Sequence, residues 1–330
     1  MTSNEGLICA YRLDGKGGGV PVDWSEISGG ISDQDSIWAH LDASHEHTEP
    51  WLREHCGLNT FVIDGLLATD TRPRCEKYED GVMLILRGVN LNPGARPEDM
   101  ISIRIWIDEH MMISTRLRPL MAVQDIRDQL ESGKGPVSAG HLIARLADRL
   151  GDRMSPVVED LGEQADDMEN LLIETDGKNQ QDLRSVRHQL INLRRMAISL
   201  RRFIAPQREA LSTLSRLDEP WLDERTQGRL RETVNQVTRI IEELDEVRER
   251  SVVVQDELMN RISQRMEKTM YALTVVATIM LPLGFLTGLL GINVGGMPGA
   301  DTSWAFWAVC GMLALVTMLE VWLFKKFKWL

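Results

Sequence analysis

Hydrophobic and polar positions divide the chain into stretches of different texture. Over residues 1–135 short apolar runs of β type alternate with helical pieces. Leu7 to Tyr11, Ser36 to Leu41, Val82 to Val89, Ile101 to Ile107 and Met111 to Thr115 read as strands, and Glu49 to Cys56 and Pro119 to Leu130 as helices. That alternation predicts a mixed α/β domain. Over 136–218 the period changes to helical: Ser138 to Thr175 repeats Leu142, Ile143, Leu146, Leu150, Val157, Leu161, Met168 and Leu171, and Asn179 to Leu217 follows. Asp218-Glu219-Pro220 then supplies a capping acid and a first-turn proline. Beyond it Leu230, Val234, Val237, Ile241, Leu244, Leu258, Ile262 and Met266 keep helical spacing, and no proline intervenes before Pro282. One helix is expected over 220–290, on the order of 105 Å long. Its cytoplasmic part, a stalk over 219–270, must bury its apolar stripe against neighbouring helices or copies of itself, which implies oligomerisation.

From Tyr271 to Leu290 there is no charge, a length that covers the roughly 30 Å hydrocarbon core of a bilayer. A second such run, 304–324, carries one ionisable group, Glu320, near its end. Trp304 and Trp307 at one end, with Trp322 and Trp329 at the other, suit the two interfaces. Core helices of soluble proteins rarely run so far apolar on every face, so both are read as transmembrane helices. Arg261, Arg265 and Lys268 precede the first span, and Lys325, Lys326 and Lys328 lie in the tail 325–330, whereas the loop 291–303 has no base. Both termini are therefore expected to be cytoplasmic, with only that loop outside.

Composition sharpens this division. The 330 residues average a mean hydropathy of −0.19 and a net charge of −12, from 37 Lys and Arg against 49 Asp and Glu. After residue 270 the only charged residues are Asp301, Glu320, Lys325, Lys326 and Lys328. Removing those two acids and three bases leaves 47 and 34 upstream, a net −13. An acidic body is a poor partner for nucleic acid, whose phosphates need clustered bases. Cys9, Cys56, Cys75 and Cys310 form no CxxC pair, so neither a disulfide scaffold nor a zinc finger is expected. The N-terminus has no basic segment followed by an apolar one, so no secretory leader is expected. Gly15, Gly17, Gly18 and Gly19 surround Lys16 without the order of a phosphate loop and read as a turn. No spacing of nucleophile and base suggests an enzyme.

A homo-oligomer with two spans per subunit suggests a pore on its symmetry axis, lined by the first spans. Gly284 and Gly288 form a GxxxG pattern that Gly291 extends, leaving a strip without side chains for close helix approach. Gly291-Ile292-Asn293 follows at the outer mouth. A ring of Asn293 amides would offer neutral oxygens to a cation without a deep well; equally, Asn293 could cap the helix. Another stretch relevant to cations, Glu159, Asp160, Glu163, Asp166, Asp167, Glu169, Glu174, Asp176 and Asp182, is either a solvated face or a field that attracts them.

Gly-x-Asn after a long helix, with Pro282 upstream and two C-terminal spans, resembles the CorA superfamily of divalent-cation transporters. Met297-Pro298-Gly299, SIWAHLDASHEHTEPWL, TRPRCEKYEDGVMLILRGVNL and the terminal KKFKWL bring the resemblance closest to its zinc-transporting ZntB branch. It covers nearly the whole chain. The resemblance implies a homopentameric funnel: an N-terminal α/β domain, antiparallel helices beside it, and a stalk entering an inner membrane. It implies a pore face of Met270, Leu273, Ala277, Leu281, Gly284 and Gly288, with Gly291, Ile292 and Asn293 as the selectivity motif. Gly284 stands where CorA relatives commonly place a pore hydroxyl. Gly299 stands where their loops often carry an acid, which argues for the ZntB branch.

Zinc uptake is what the resemblance implies. The residues alone do not specify it, because zinc prefers imidazole and thiolate and neither the first span nor the loop holds His or Cys. His40, Asp42, His45 and His47 are the candidate soft-metal ligands, in a spacing that matches no compact zinc motif; surface loop histidines are the plainer reading. Asp301 and Glu320 are the candidates for moving protons, although Glu320 lies near enough to Lys325 to reach the interface instead. No cofactor is expected, the ion being cargo. The competing readings are a CorA-like magnesium or cobalt channel, zinc efflux, and a membrane-anchored cytosolic metal sensor.

Overall fold

The computed structural model describes residues 6–28, 36–174, 180–292, 299 and 302–327, in two compact units, Met1–Gln255 and Asp256–Leu330. In chain order the elements are β1 (Leu7–Leu13), β2 (Gly19–Pro21), α1 (Trp24–Ser28), β3 (Ile37–Asp42), α2 (Thr48–His55), α3 (Thr60–Leu67), β4 (Arg74–Lys77), β5 (Val82–Gly88), β6 (Ile101–Ile107) and β7 (Met111–Arg116). Five helices complete the chain: α4 (Met121–Glu131), α5 (Ala139–Glu174), α6 (Gln180–Leu214), α7 (Glu224–Leu290) and α8 (Ala305–Lys326).

The strands form one seven-stranded sheet in the order β2-β1-β3-β7-β6-β5-β4, antiparallel except for the β3–β7 pair. Strands β5 and β6 are buried along their whole length, which is why they read as continuous apolar runs. Alternate residues go to opposite faces. Leu84, Leu86, Ile103 and Ile105 join a core with α4, α5, α6 and the first part of α7, whereas Met83, Ile85 and Trp106 join a second core with α1, α2 and α3. Helices therefore cover both faces. The two strands absent from the sequence reading, β2 and β4, are short edge strands with exposed residues, too brief to show a period.

The glycine cluster is a turn between β1 and β2. Asp14 Oδ1 accepts from the amides of Lys16 at 2.7 Å and Gly18 at 2.8 Å, and Gly17 takes φ 107°, a conformation without strain only for glycine.

One boundary differs from the sequence reading. Helix α7 begins at Glu224, not at Pro220, because Asp223 is the capping acid: its Oδ1 accepts from the Thr226 amide at 2.7 Å. Asp218-Glu219-Pro220 lies in the preceding turn. From Glu224, α7 is a single helix of 67 residues, about 100 Å long, with Pro282 inside it. Part of the acid-dense stretch is balanced within the first unit: Arg250 of α7 pairs with Asp166 and, at 3.4 Å, with Glu169 of α5.

Close approach of α5 to the segment before α7 requires a glycine. A methyl group on Gly140 would lie 2.0 Å from the Trp221 carbonyl oxygen, whereas one on Gly162 meets no atom within 4 Å. Gly140→Ala is expected to destabilise the full-length protein by about 1–3 kcal/mol, and Gly162→Ala to be neutral or stabilising by up to ~1 kcal/mol. Thermal unfolding in detergent, scored on the cytoplasmic unit, checks both; equal melting of the two variants would contradict the packing described.

Candidate cation pathway and membrane segment

In the second unit, the end of α7 and the whole of α8 reach mean hydropathies of 2.1 and 1.9 with no fully buried residue. Apolar helices of that length with no core around them must face lipid or other protein. Helical geometry satisfies most of the backbone internally, as lipid requires, Pro282 being the exception within α7. Hydroxyls follow suit: Thr274, Thr278 and Thr287 donate to the carbonyls of Met270, Thr274 and Leu283 at 2.8, 2.8 and 2.9 Å. Pro282 has no amide hydrogen, which leaves the Thr278 carbonyl without its helical donor.

The membrane part of α7 has two distinct faces. Val275, Ile279, Pro282, Leu283 and Leu286 are half-buried, and everything else from 271 to 290 is exposed. On α8 the half-buried positions Ala305, Val309, Cys310, Leu313, Val316, Thr317, Glu320, Val321 and Phe324 form one broad face of the helix. At 100° per residue, the half-buried stripe of α7 and the row Met270, Leu273, Ala277, Leu281, Gly284 and Gly288 lie roughly 180° apart. All six of the latter are exposed, Leu281 at 73%, and a methyl group on Gly284 or Gly288 would meet nothing within 4 Å. The row expected to line a pore is thus on the more exposed side of the helix.

Helix α7 ends where the motif begins. The Gly291 amide donates to the carbonyls of Thr287 at 2.9 Å and Gly288 at 3.2 Å, and Ile292 is exposed. Asn293 and Asp301 lie outside the described residues. At the other end of the hairpin, Lys325 and Lys326 occupy the last turn of α8, and the Lys326 ammonium sits 4.8 Å from the Trp322 ring centroid. Glu320 makes no ion pair with Lys325 there. Its Oε2 is enclosed and has no hydrogen-bond partner.

The four candidate soft-metal ligands are not brought together. His40 is fully buried in β3, where its Nδ1 and the Ser114 hydroxyl are 2.8 Å apart; Ser114 also accepts from Trp38 Nε1 at 2.9 Å. Asp42 accepts from Ser44, both amide and hydroxyl. His45 is half-buried and His47 exposed, their rings tilted against each other with centroids 5.4 Å apart. Among the described residues no three metal-binding side chains converge. Sequence reasoning missed Ser114 as the partner of His40; the only signal was that residues 36–41 and 111–115 both read as strands.

The CorA-like Mg2+ transporter protein family matches residues 33–326. The chain belongs to the CorA family. It is 42% identical to the divalent cation transporter CmaX of Pseudomonas aeruginosa, across 98% of this chain and 97% of that one. It is 34% identical to the zinc transport protein ZntB of Yersinia enterocolitica serotype O:8, across 98% and 96%. The structure of full-length CmaX superposes with a TM-score of 0.84 at 40% identity, covering 99% of both chains. This CorA-family chain is thus a ZntB-like membrane protein of a family that transports divalent cations, and that family is one of transporters rather than enzymes.

Burial of His40, with the nearby cations Arg116 and Arg127 adding to it, pulls its pKa from 6.5 down to about 3. The unfolded chain binds a proton there first, so this group's stabilisation is complete above pH 6.5 and is lost as pH falls towards 3. Unfolding free energies of the parent should decline over that window by up to ~1.4 kcal/mol per pH unit more steeply than those of His40→Leu. Equal slopes would contradict the buried neutral imidazole.

Proposed function

We propose that the protein is a homopentamer that carries zinc inward across the inner membrane, along an axial pore lined by the free face of α7, with a ring of Asn293 side chains selecting the ion at the outer mouth. The observation that carries this reading is the exposed position of Met270, Leu273, Ala277, Leu281, Gly284 and Gly288 opposite the half-buried stripe of the same helix. Glycine lets copies of α7 approach closely on that face, and methyl and isobutyl groups give a passage without fixed charge. An ion crossing it keeps much of its water and exchanges outer water with neutral amide oxygens at the mouth. Basic residues beside both spans, and none between Gly291 and Ser303, support a cytoplasmic position for both termini.

Zinc rests on the 34% identity to ZntB. A second reading, a transporter of several divalent cations, is favoured by the 42% identity to CmaX and by the lack of imidazole and thiolate along the proposed passage.

Purified protein in liposomes loaded with a metal-sensitive dye tests both. Zinc entry should exceed magnesium and cobalt entry, and Asn293→Ala should lower zinc entry by about tenfold, the loss of roughly 1.4 kcal/mol at the selecting step. Equal flux for Asn293→Ala and the parent would contradict the amide ring. Magnesium flux without zinc flux would contradict zinc as cargo. An imposed pH gradient that leaves the rate unchanged would remove proton coupling.

A further inference from the structure

We propose that the basic outer stripe of α6 in one copy docks on the acidic outer stripe of α7 in the next, so that ion pairs between copies close the ring around the pore axis. This rests on the homopentamer proposed above and names a surface that holds it together. Residues 183–208 carry seven arginines and no acid, in a body whose net charge is −13. Arg187, Ile191, Arg194, Arg195, Ile198 and Arg202 are all exposed and fall within one arc of α6 about 100° wide. Ile191 and Ile198 are 45% and 48% exposed. None of these four arginines pairs with a carboxylate among the described residues, whereas Arg201 and Arg208 do. Isoleucines seven positions apart, flanked by unpaired guanidiniums, suit an acidic helix as occupant.

Helix α7 carries the complement. Glu242, Glu246, Glu249 and Val253 are exposed on an arc about 60° wide, Val253 at 67%. Glu242 and Glu246 have no cation partner among the described residues, and Glu249 has only Arg248, at 3.7 Å. The heights of the two stripes agree. Arg201 of α6 pairs with Asp245 of α7 at 2.7 Å, and Gln227 Nε2, early in α7, donates to the Leu217 carbonyl, just past α6, at 3.1 Å. The two helices therefore run antiparallel, and their equal rise makes Arg202 level with Leu244, Arg195 with Ser251, Arg194 with Val252 and Ile191 with Gln255. A ring whose axis runs along α7 keeps each residue at one height in every copy. Across a boundary, Arg202 then meets Glu242 and Glu246, Arg194 and Arg195 meet Glu249, and Ile191 meets Val253. Opposite charge steers the copies together and fixes this register.

The test uses full-length protein in detergent with Cys9, Cys56, Cys75 and Cys310 replaced and the pair I191C and V253C introduced. Oxidation is expected to link copies into a ladder ending at five, because a disulfide needs Cα atoms within about 7 Å. R194E/R195E should lower the yield of linked copies by about fivefold or more, and adding E246R/E249R should restore it. High salt should lower the parent's yield as well. Pentamers by native mass that give no ladder would overturn the proposal. So would a ladder undiminished by R194E/R195E, or one that E246R/E249R does not restore. Should R194E/R195E fail to fold, R194Q/R195Q removes the charge without reversing it, and an undiminished ladder there overturns the proposal too. Monomers by native mass in the parent contradict the homopentamer itself, which separates that failure from this one.

Discussion

The lateral surface of two strongly apolar helical segments governs the rest of this molecule. Such helices cannot stay in water, and in lipid their backbone groups must be satisfied internally. Helix α7 meets that demand along its membrane segment except at Pro282, with its threonine hydroxyls folded back onto its own carbonyls. Close packing is then the only device left for holding helices together, because lipid is as apolar as leucine. The half-buried stripes on α7 and α8 use one side of each helix. The glycine-bearing side of α7 remains, and a divalent-cation transporter with two spans per chain needs such a side for copies of itself.

The first unit follows different rules. Its sheet is covered on both faces, so its central strands are apolar throughout and tolerate polar residues only where these find partners. His40 is kept neutral by burial and held by Ser114, which also binds Trp38. Arg87 and Arg104, both buried, aim at main-chain carbonyls: Arg87 at Thr71 and Met100, Arg104 at Ser102 and Thr69, so the loop after α3 is pinned to the sheet end by guanidiniums. These contacts serve the fold. Negative charge instead collects on the helices, where Glu159, Asp166, Glu243 and Glu246 line one cavity with Arg250, and burial beside Glu159 pushes the Glu243 carboxyl up.

Long periodic elements were legible in the sequence because one period repeats many times. Helices α5, α6 and α7, strands β5, β6 and β7, and both spans lie within a few residues of where the apolar pattern put them. Helix α1, like β2 and β4, is too short for any period to emerge. The start of α7 was misplaced because Asp218 and Asp223 are both plausible caps, and only the hydrogen bond to Thr226 distinguishes them. His40 looked like a ligand because sequence spacing cannot say that a residue three positions into a central strand points into a core.

The central claim is that opposite faces of one helix have different fates, and single cysteines along 270–288 test it most directly. In full-length protein whose Cys9, Cys56, Cys75 and Cys310 have been replaced, water-soluble thiol reagents should modify cysteines at 273, 277, 281 and 284 and spare those at 275, 279 and 286. Zinc should slow modification of the first set. Reactivity centred on 275, 279 and 286, or spread evenly around the helix, would contradict the account.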